Sequence, residues 1–157
     1  MASGFHLAFF LSLIGGLLIS GSRSFSSPAC PSGWAQYGAR CFSVQTSRRS
    51  MADAELTCIS LGGNLASIRN IHEHLFIRNL IYQICRFYAT AWIGFYDAVQ
   101  EGKWLWTDGS KTVFTHWGHG EPNNVGGEHC TETNFRGYYW NDVPCHHSKP
   151  FVCARNM

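Results

Sequence analysis

Charge is scarce in this chain. Only 14% of its 157 residues are charged, the formal net charge is +2, and no block of Lys or Arg extends beyond Arg48-Arg49. A nucleic-acid partner would need a basic footprint to neutralise phosphates, and an anionic membrane surface would need a polybasic segment; composition disfavours both. The mostly apolar run Leu7–Ile19 is shorter than the ~20 residues that span a bilayer and lacks a basic cytoplasmic flank, so membrane insertion is not expected. No Asn-x-Ser/Thr acceptor occurs, and N-glycosylation is not expected. Internal repeats, a domain linker and a nucleophile motif such as Gly-x-Ser-x-Gly are missing as well. Cys85 has no activating neighbour in sequence other than Arg86, so an enzyme is not expected.

The chain has room for one domain, and an aromatic content of 15% supports a core. Residues 1–22 have the layout of a secretory signal, with small residues Ser20, Gly21 and Ser22 after the apolar run and a cleavage point between Ser20 and Ser27. Residues 23–29 form a short polar leader, and residues 30–157 form the domain. Seven cysteines in a small secreted chain point to disulfides. Six of them (Cys30, Cys41, Cys58, Cys130, Cys145 and Cys153) allow fifteen pairings that spacing alone does not resolve. Cys85 is the odd one, which suggests an interchain bridge or a free thiol.

Trp34–Val44 alternates aromatic and polar residues around Gly38 and predicts a hairpin. Ser50 followed by Asp53 opens a helix whose face is Met51, Ala54, Cys58 and Leu61, stopped by Gly62-Gly63. A second helix, Ile71–Ile84, starts at Asn70 with Glu73 at its third position. Its stripe is Ile71, Leu75, Leu80, Ile81 and Ile84, with Ile77 beside it. Ala91–Phe95, Trp104–Trp106, Tyr138–Trp140 and Phe151–Ala154 are short β-type runs. Between Lys111 and Asn141 the chain is rich in Gly, Asn, His and aromatics, with little periodicity. Such a stretch in a compact domain is usually functional, and a metal could order it.

That stretch carries the most informative residues. Glu121, Asn123, Glu128, Asn141 and Asp142 lie between and beside Cys130 and Cys145. Three carboxylates and two amides are hard oxygen donors of the kind Ca²⁺ prefers. The histidines His116, His119, His146 and His147 match no zinc motif. Trp92, Trp104, Trp106, Trp117 and Trp140 could stack on sugars, but most read as core, Trp117 in the loop least clearly so.

An ordered series of motifs runs from Cys30 to Cys153. Its members are Cys30-Pro31-x-Gly33-Trp34, Leu61-Gly62-Gly63-x-Leu65-Ala66-Ser67-Ile68, Trp92-Ile93-Gly94 and Trp104-x-Trp106-x-Asp108-Gly109, then Glu121-Pro122-Asn123, Trp140-Asn141-Asp142-x-x-Cys145 and Phe151-Val152-Cys153. In this order and spacing the chain resembles the C-type lectin domain, most of all the small secreted lectins of fish mucus and venom. The resemblance implies an α+β fold with two helices flanking small antiparallel sheets and a long calcium-binding loop region. It implies the disulfides Cys30–Cys41, Cys58–Cys153 and Cys130–Cys145, and it leaves Cys85 near where related venom lectins carry an interchain cysteine. It assigns Glu121, Asn123, Glu128, Asn141 and Asp142 as the primary calcium ligands and the sugar contacts, joined by the Asp142 backbone carbonyl, with Pro122 in the cis form. Ca²⁺ accepts about 6–8 oxygens, so corners would remain for two sugar hydroxyls. The Glu-Pro-Asn order goes with mannose-type sugars in this family. An auxiliary calcium site would use Asp97, Glu101, Asn124 and the position of His129. Two of those positions usually hold Asp and here hold Asn and His, so weak or no binding is expected there.

The function these readings imply is a secreted, calcium-dependent lectin of innate defence, venom or mucus that binds glycans on cell or microbial surfaces. A disulfide-linked homodimer through Cys85 would give it two sites. The alternative is a non-sugar module of the same fold, an ice binder or a protein-binding subunit of the venom type.

Overall fold

The computed structural model describes Gly16, Gly21 and residues 29–157. The expected signal and all but the last residue of the leader otherwise lie outside the described residues. Eight strands and two helices follow: β1 (Ala35–Tyr37), β2 (Arg40–Arg49), α1 (Met51–Ser60), β3 (Asn64–Leu65), α2 (Ile71–Cys85), β4 (Ala91–Tyr96), β5 (Leu105–Trp106), β6 (Cys130–Phe135), β7 (Tyr139–Val143) and β8 (Lys149–Asn156). The class is α+β. The strands form one path, β1-β2-β8-β4-β6-β7, with β3 attached to β8 and β5 to β4. All pairings are antiparallel except β4–β8, which meet in parallel at Trp92 and Phe151. That parallel contact joins the terminal half of the sheet to the half that carries the loops.

Local chemistry sets the helix starts. Ser50 Oγ accepts the Asp53 N–H at 3.3 Å, and Asn70 Oδ1 accepts the Glu73 N–H at 2.9 Å, each satisfying an otherwise orphan donor of the first turn. The buried faces differ from the expected stripes. α1 buries Met51, Ala54 and Cys58 but ends at Ser60; Leu61 is its cap and is 39% exposed. α2 buries Glu73, His74, Ile77 and Ile81, while Ile84 is 51% exposed. A buried ion pair rotates this face. Arg40 Nη1 reaches both Glu73 carboxylate oxygens at 3.1 Å and the Ser67 carbonyl at 3.0 Å. Burying a carboxylate requires such a partner, so Glu73 points inward and carries Ile77 with it.

Two glycines in the motifs are required by close approach. A Cβ on Gly63 would collide with the Ala154 carbonyl, and one on Gly94 would meet Thr107 Oγ1 at 2.6 Å and the Leu65 carbonyl at 2.7 Å. These glycines let β3, β4 and β8 pack without side chains between them. The disulfides pair Cys30–Cys41, Cys58–Cys153 and Cys130–Cys145. Cys58–Cys153 ties α1 to β8 across 95 residues, a closure worth on the order of 4–5 kcal/mol in the chain-entropy account.

An aromatic layer lies beneath the irregular segment between β4 and β6. Phe95 stacks on Trp106 at 4.3 Å, Trp104 meets Trp117 edge-on at 4.7 Å, and Trp140 is fully buried against them. Trp92 and Trp106 are buried and Trp104 and Trp117 half-buried, so these five of the six tryptophans pack into the core or against it. The chain at His116–Gly118 runs beside β7, with Trp140 N–H donating to the His116 carbonyl and Gly118 N–H to the Trp140 carbonyl, both at 2.8 Å. Packing and backbone bonding thus order much of a stretch for which the sequence offered only a metal. β6 also falls inside that stretch.

Candidate metal centre

Asp142 organises the site. It sits on β7 with no exposure, opposite Thr131 of β6. Its Oδ1 accepts the Asn123 N–H at 3.0 Å and its Oδ2 accepts the Asn124 N–H at 2.7 Å. One buried carboxylate therefore pins the Glu121–Glu128 loop to the sheet through charge-assisted bonds. The loop closes on itself as well: Asn124, at φ +52°, accepts the Glu128 N–H on Oδ1 at 2.9 Å. Glu121–Pro122 is cis, and Asn123 Nδ2 donates to Glu121 Oε1 at 3.0 Å while its Oδ1 accepts the Val125 N–H at 3.2 Å.

Glu121, Glu128 and Asp142 each bring a carboxylate oxygen within 4.8 Å of the others. Glu121 Oε2 is buried without a hydrogen-bond partner. Loss of water and the neighbouring Asp142 carboxylate, with repulsion from Glu128, push the Glu121 carboxyl up to about 7. Loss of water and repulsion from Asp142 raise Glu128 too. Carboxylates so placed are short of a counter-charge.

Asn141 is aimed from behind. Its Nδ2 donates to Glu132 Oε1 at 3.1 Å across the β6–β7 register, and Glu132 Oε2 pairs with Lys149 Nζ at 2.7 Å. An amide whose nitrogen is held leaves its carbonyl oxygen as the free end. The orphan Glu121 oxygen, the acidic cluster and the oriented Asn141 amide together make an oxygen-donor set that fits a calcium ion.

The auxiliary position is different. Asp97 is buried and its Oδ2 accepts the Gly102 N–H at 2.8 Å. Its Oδ1 lies 3.0 Å from His129 Nδ1, and Glu101 Oε2 lies 3.2 Å from the same nitrogen. Asn124, the fourth residue expected there, accepts the Glu128 N–H on its Oδ1. The structure brings Asp97, Glu101 and His129 together.

A family model described as "Lectin C-type domain" matches residues 47–155. The chain belongs to the C-type lectin domain family. It is 44% identical over 161 residues to the galactose-specific lectin nattectin of Thalassophryne nattereri, across 100% of both chains. It is 38% identical over 128 residues to a type-2 ice-structuring protein of Hemitripterus americanus, covering 81% of this chain and 75% of that one. Human lithostathine, a solved structure, superposes with a TM-score of 0.77 at 31% identity over 82% of this chain and 92% of its own. C-type lectins are carbohydrate-binding proteins and not enzymes, and this one is a small member of that family.

Cys85, the last residue of α2, is the unpaired cysteine of this lectin, half-buried between the exposed side chains of Ile84 and Phe87. Burial raises its thiol, the opposite of what a nucleophile needs. Among the described residues no helix is long and apolar enough to cross a membrane.

Sequence reasoning missed three supports. Glu132 and Lys149 meet Asn141 only through strand register, which no local motif reveals. The bridging role of His129 was hidden behind its status as a poor calcium ligand. The rings of His74 and His116 meet at a tilt with centroids 4.4 Å apart, and His74 Nδ1 accepts the Trp140 indole N–H at 3.3 Å. Lost hydration and the neighbouring His116 depress His74 to about 4.

Proposed function

We propose that this C-type lectin binds carbohydrate through one calcium ion held by Glu121, Asn123, Glu128, Asn141 and Asp142. The observation that carries the reading is the convergence of three carboxylates, one with an orphaned buried oxygen, beside an amide whose nitrogen is already tied. Bound there, the ion supplies charge neutralisation and attraction for sugar hydroxyl oxygens. The protein side chains supply direction: Glu121 and Glu128 only accept hydrogen bonds, whereas Asn123 and Asn141 also donate. The Glu-Pro-Asn order favours mannose-type sugars, with vicinal equatorial hydroxyls. The name of the 44% identical relative points to galactose; the acceptor–donor order of this chain's own loop supports mannose.

The chain acts outside the cell, in defence or in a mucus or venom secretion, on glycans of cell or microbial surfaces; the three disulfides support an oxidising compartment. Two chains joined through Cys85 would convert a weak monosaccharide site, about −4 kcal/mol at millimolar affinity, into a useful avidity. Binding to a glycan array should vanish in EDTA and be competed by mannose. Glu121→Gln with Asn123→Asp should shift preference toward galactose. Sugar binding that survives the chelator refutes the mechanism, and a double variant that still prefers mannose refutes the donor–acceptor argument.

The likeness to type-2 ice-structuring proteins supports a second reading, ice binding on the same fold. Thermal hysteresis by the purified protein, together with no binding on the array, would favour it.

A further inference from the structure

The auxiliary calcium position of the family does not fit calcium in this chain. Two of its usual carboxylates are absent, and an imidazole nitrogen stands where a hard oxygen is wanted. What remains is a compact, mixed donor set. Asp97 Oδ1, Glu101 Oε2 and His129 Nδ1 all lie within 4.8 Å of one another, with the imidazole nitrogen 3.0 and 3.2 Å from the two carboxylates. A tetrahedral zinc ion with bonds of ~2.0–2.1 Å sets neighbouring ligand atoms about 3.3 Å apart. The two nitrogen–oxygen separations are within a few tenths of an ångström of that.

The site is also built. Asp97 is 1% exposed and its second oxygen is fixed by the Gly102 N–H, so the first is presented in one direction. The Asp97 N–H donates to the His129 carbonyl at 3.0 Å, which locks the two residues' backbones together. Such outer contacts orient ligands and set metal affinity. Two carboxylates and a neutral imidazole balance a divalent charge, and the nitrogen donor selects a borderline cation over a hard one.

We propose that Asp97, Glu101 and His129 form a site for a borderline divalent cation of the zinc class, replacing the second calcium of the family. The site fastens the loop after β4 to the start of β6, beside Glu128. It is independent of the lectin reading, because none of its three side chains belongs to the five-residue set.

The test is calorimetric titration of Zn²⁺ into full-length, oxidised protein saturated with Ca²⁺, so that the Glu121–Asp142 set is competed. One zinc per chain is expected. Glu101→Gln, a change at a side chain that is 56% exposed and safe for folding, should weaken it about tenfold or more. His129→Gln should abolish it, and His129→Asp should abolish it while raising calcium stoichiometry from one to two. Replacing both His146 and His147 with Gln should leave it intact. No zinc uptake, uptake indifferent to His129→Gln and Glu101→Gln, or two calcium ions in the unaltered protein would each overturn the proposal; the cluster would then be an internal histidine–carboxylate contact only. A flat calcium titration with intact zinc uptake would instead sink the lectin reading and leave this one standing.

Discussion

The two acidic clusters of the loop region are built from similar parts and end in different states. Around Asp142, three carboxylates face one another, and burial together with their mutual repulsion raises Glu121 and Glu128. Around Asp97, a histidine nitrogen lies 3.0 and 3.2 Å from two carboxylates and makes the donor set mixed. The lesson is that a single donor decides which cation a cluster suits: oxygens alone suit calcium, and one imidazole nitrogen among them suits a borderline ion. The first cluster also holds its loop by backbone donors to a buried acid, so its geometry exists before any ion arrives.

The strongest way to break this contrast is Asp142→Ala. It removes a ligand and the acceptor of two backbone N–H groups. Calcium binding should fall beyond roughly 100-fold, and the calcium-free fold should lose on the order of 3 kcal/mol, read by calorimetry and denaturant unfolding. A variant that keeps its calcium would show that Asp142 only supports the loop.

Glu132→Gln sharpens the contrast from behind. The Lys149 partnership weakens and the Asn141 amide loses its charged anchor. Calcium affinity should drop about 10-fold or more, with no change in zinc uptake at Asp97, Glu101 and His129. Equal losses at both clusters would mean that Glu132 acts through overall stability.

The smallest expected effect on either cluster comes from the layer beneath them. His74 is fully buried against His116, Tyr138, Trp140 and Arg78. Its folded value, about 4, lies below that of a free imidazole. Protonation therefore favours the unfolded chain, so stability is complete above about pH 6.5 and is lost as pH falls toward 4. The loss should reach roughly 3 kcal/mol, and His74→Leu should flatten it. At neutral pH the same variant should leave calcium and zinc affinities unchanged.

Several of these features could be read in the residues before any fold was known. Ser50 and Asn70 were legible as helix starts because a cap is chemistry between residues three apart. The meeting of Glu121, Glu128 and Asp142 was legible because the oxygen-bearing residues stand close in sequence, and the family motifs gave the class and the pairing of six cysteines. The buried faces of the helices were not legible at Leu61 and Ile84, because Arg40, from another strand, sets the rotation of α2 and the cap turns Leu61 outward. β6 escaped notice because Thr131, Glu132, Thr133 and Asn134 are all buried despite being polar, which erases the usual alternation. The anchoring of Asn141 by Glu132, and of the whole loop by one carboxylate, depends on cross-strand register and lies beyond any local pattern.

The central claim is that the Asp142 cluster is a metal site and that sugar binding depends on it. Calorimetry of the folded, oxidised protein at neutral pH tests this directly, titrating first Ca²⁺ and then mannose. The account predicts one calcium per chain and a sugar signal only after the ion has bound. No heat of calcium uptake, or an equal mannose signal in EDTA, would contradict it.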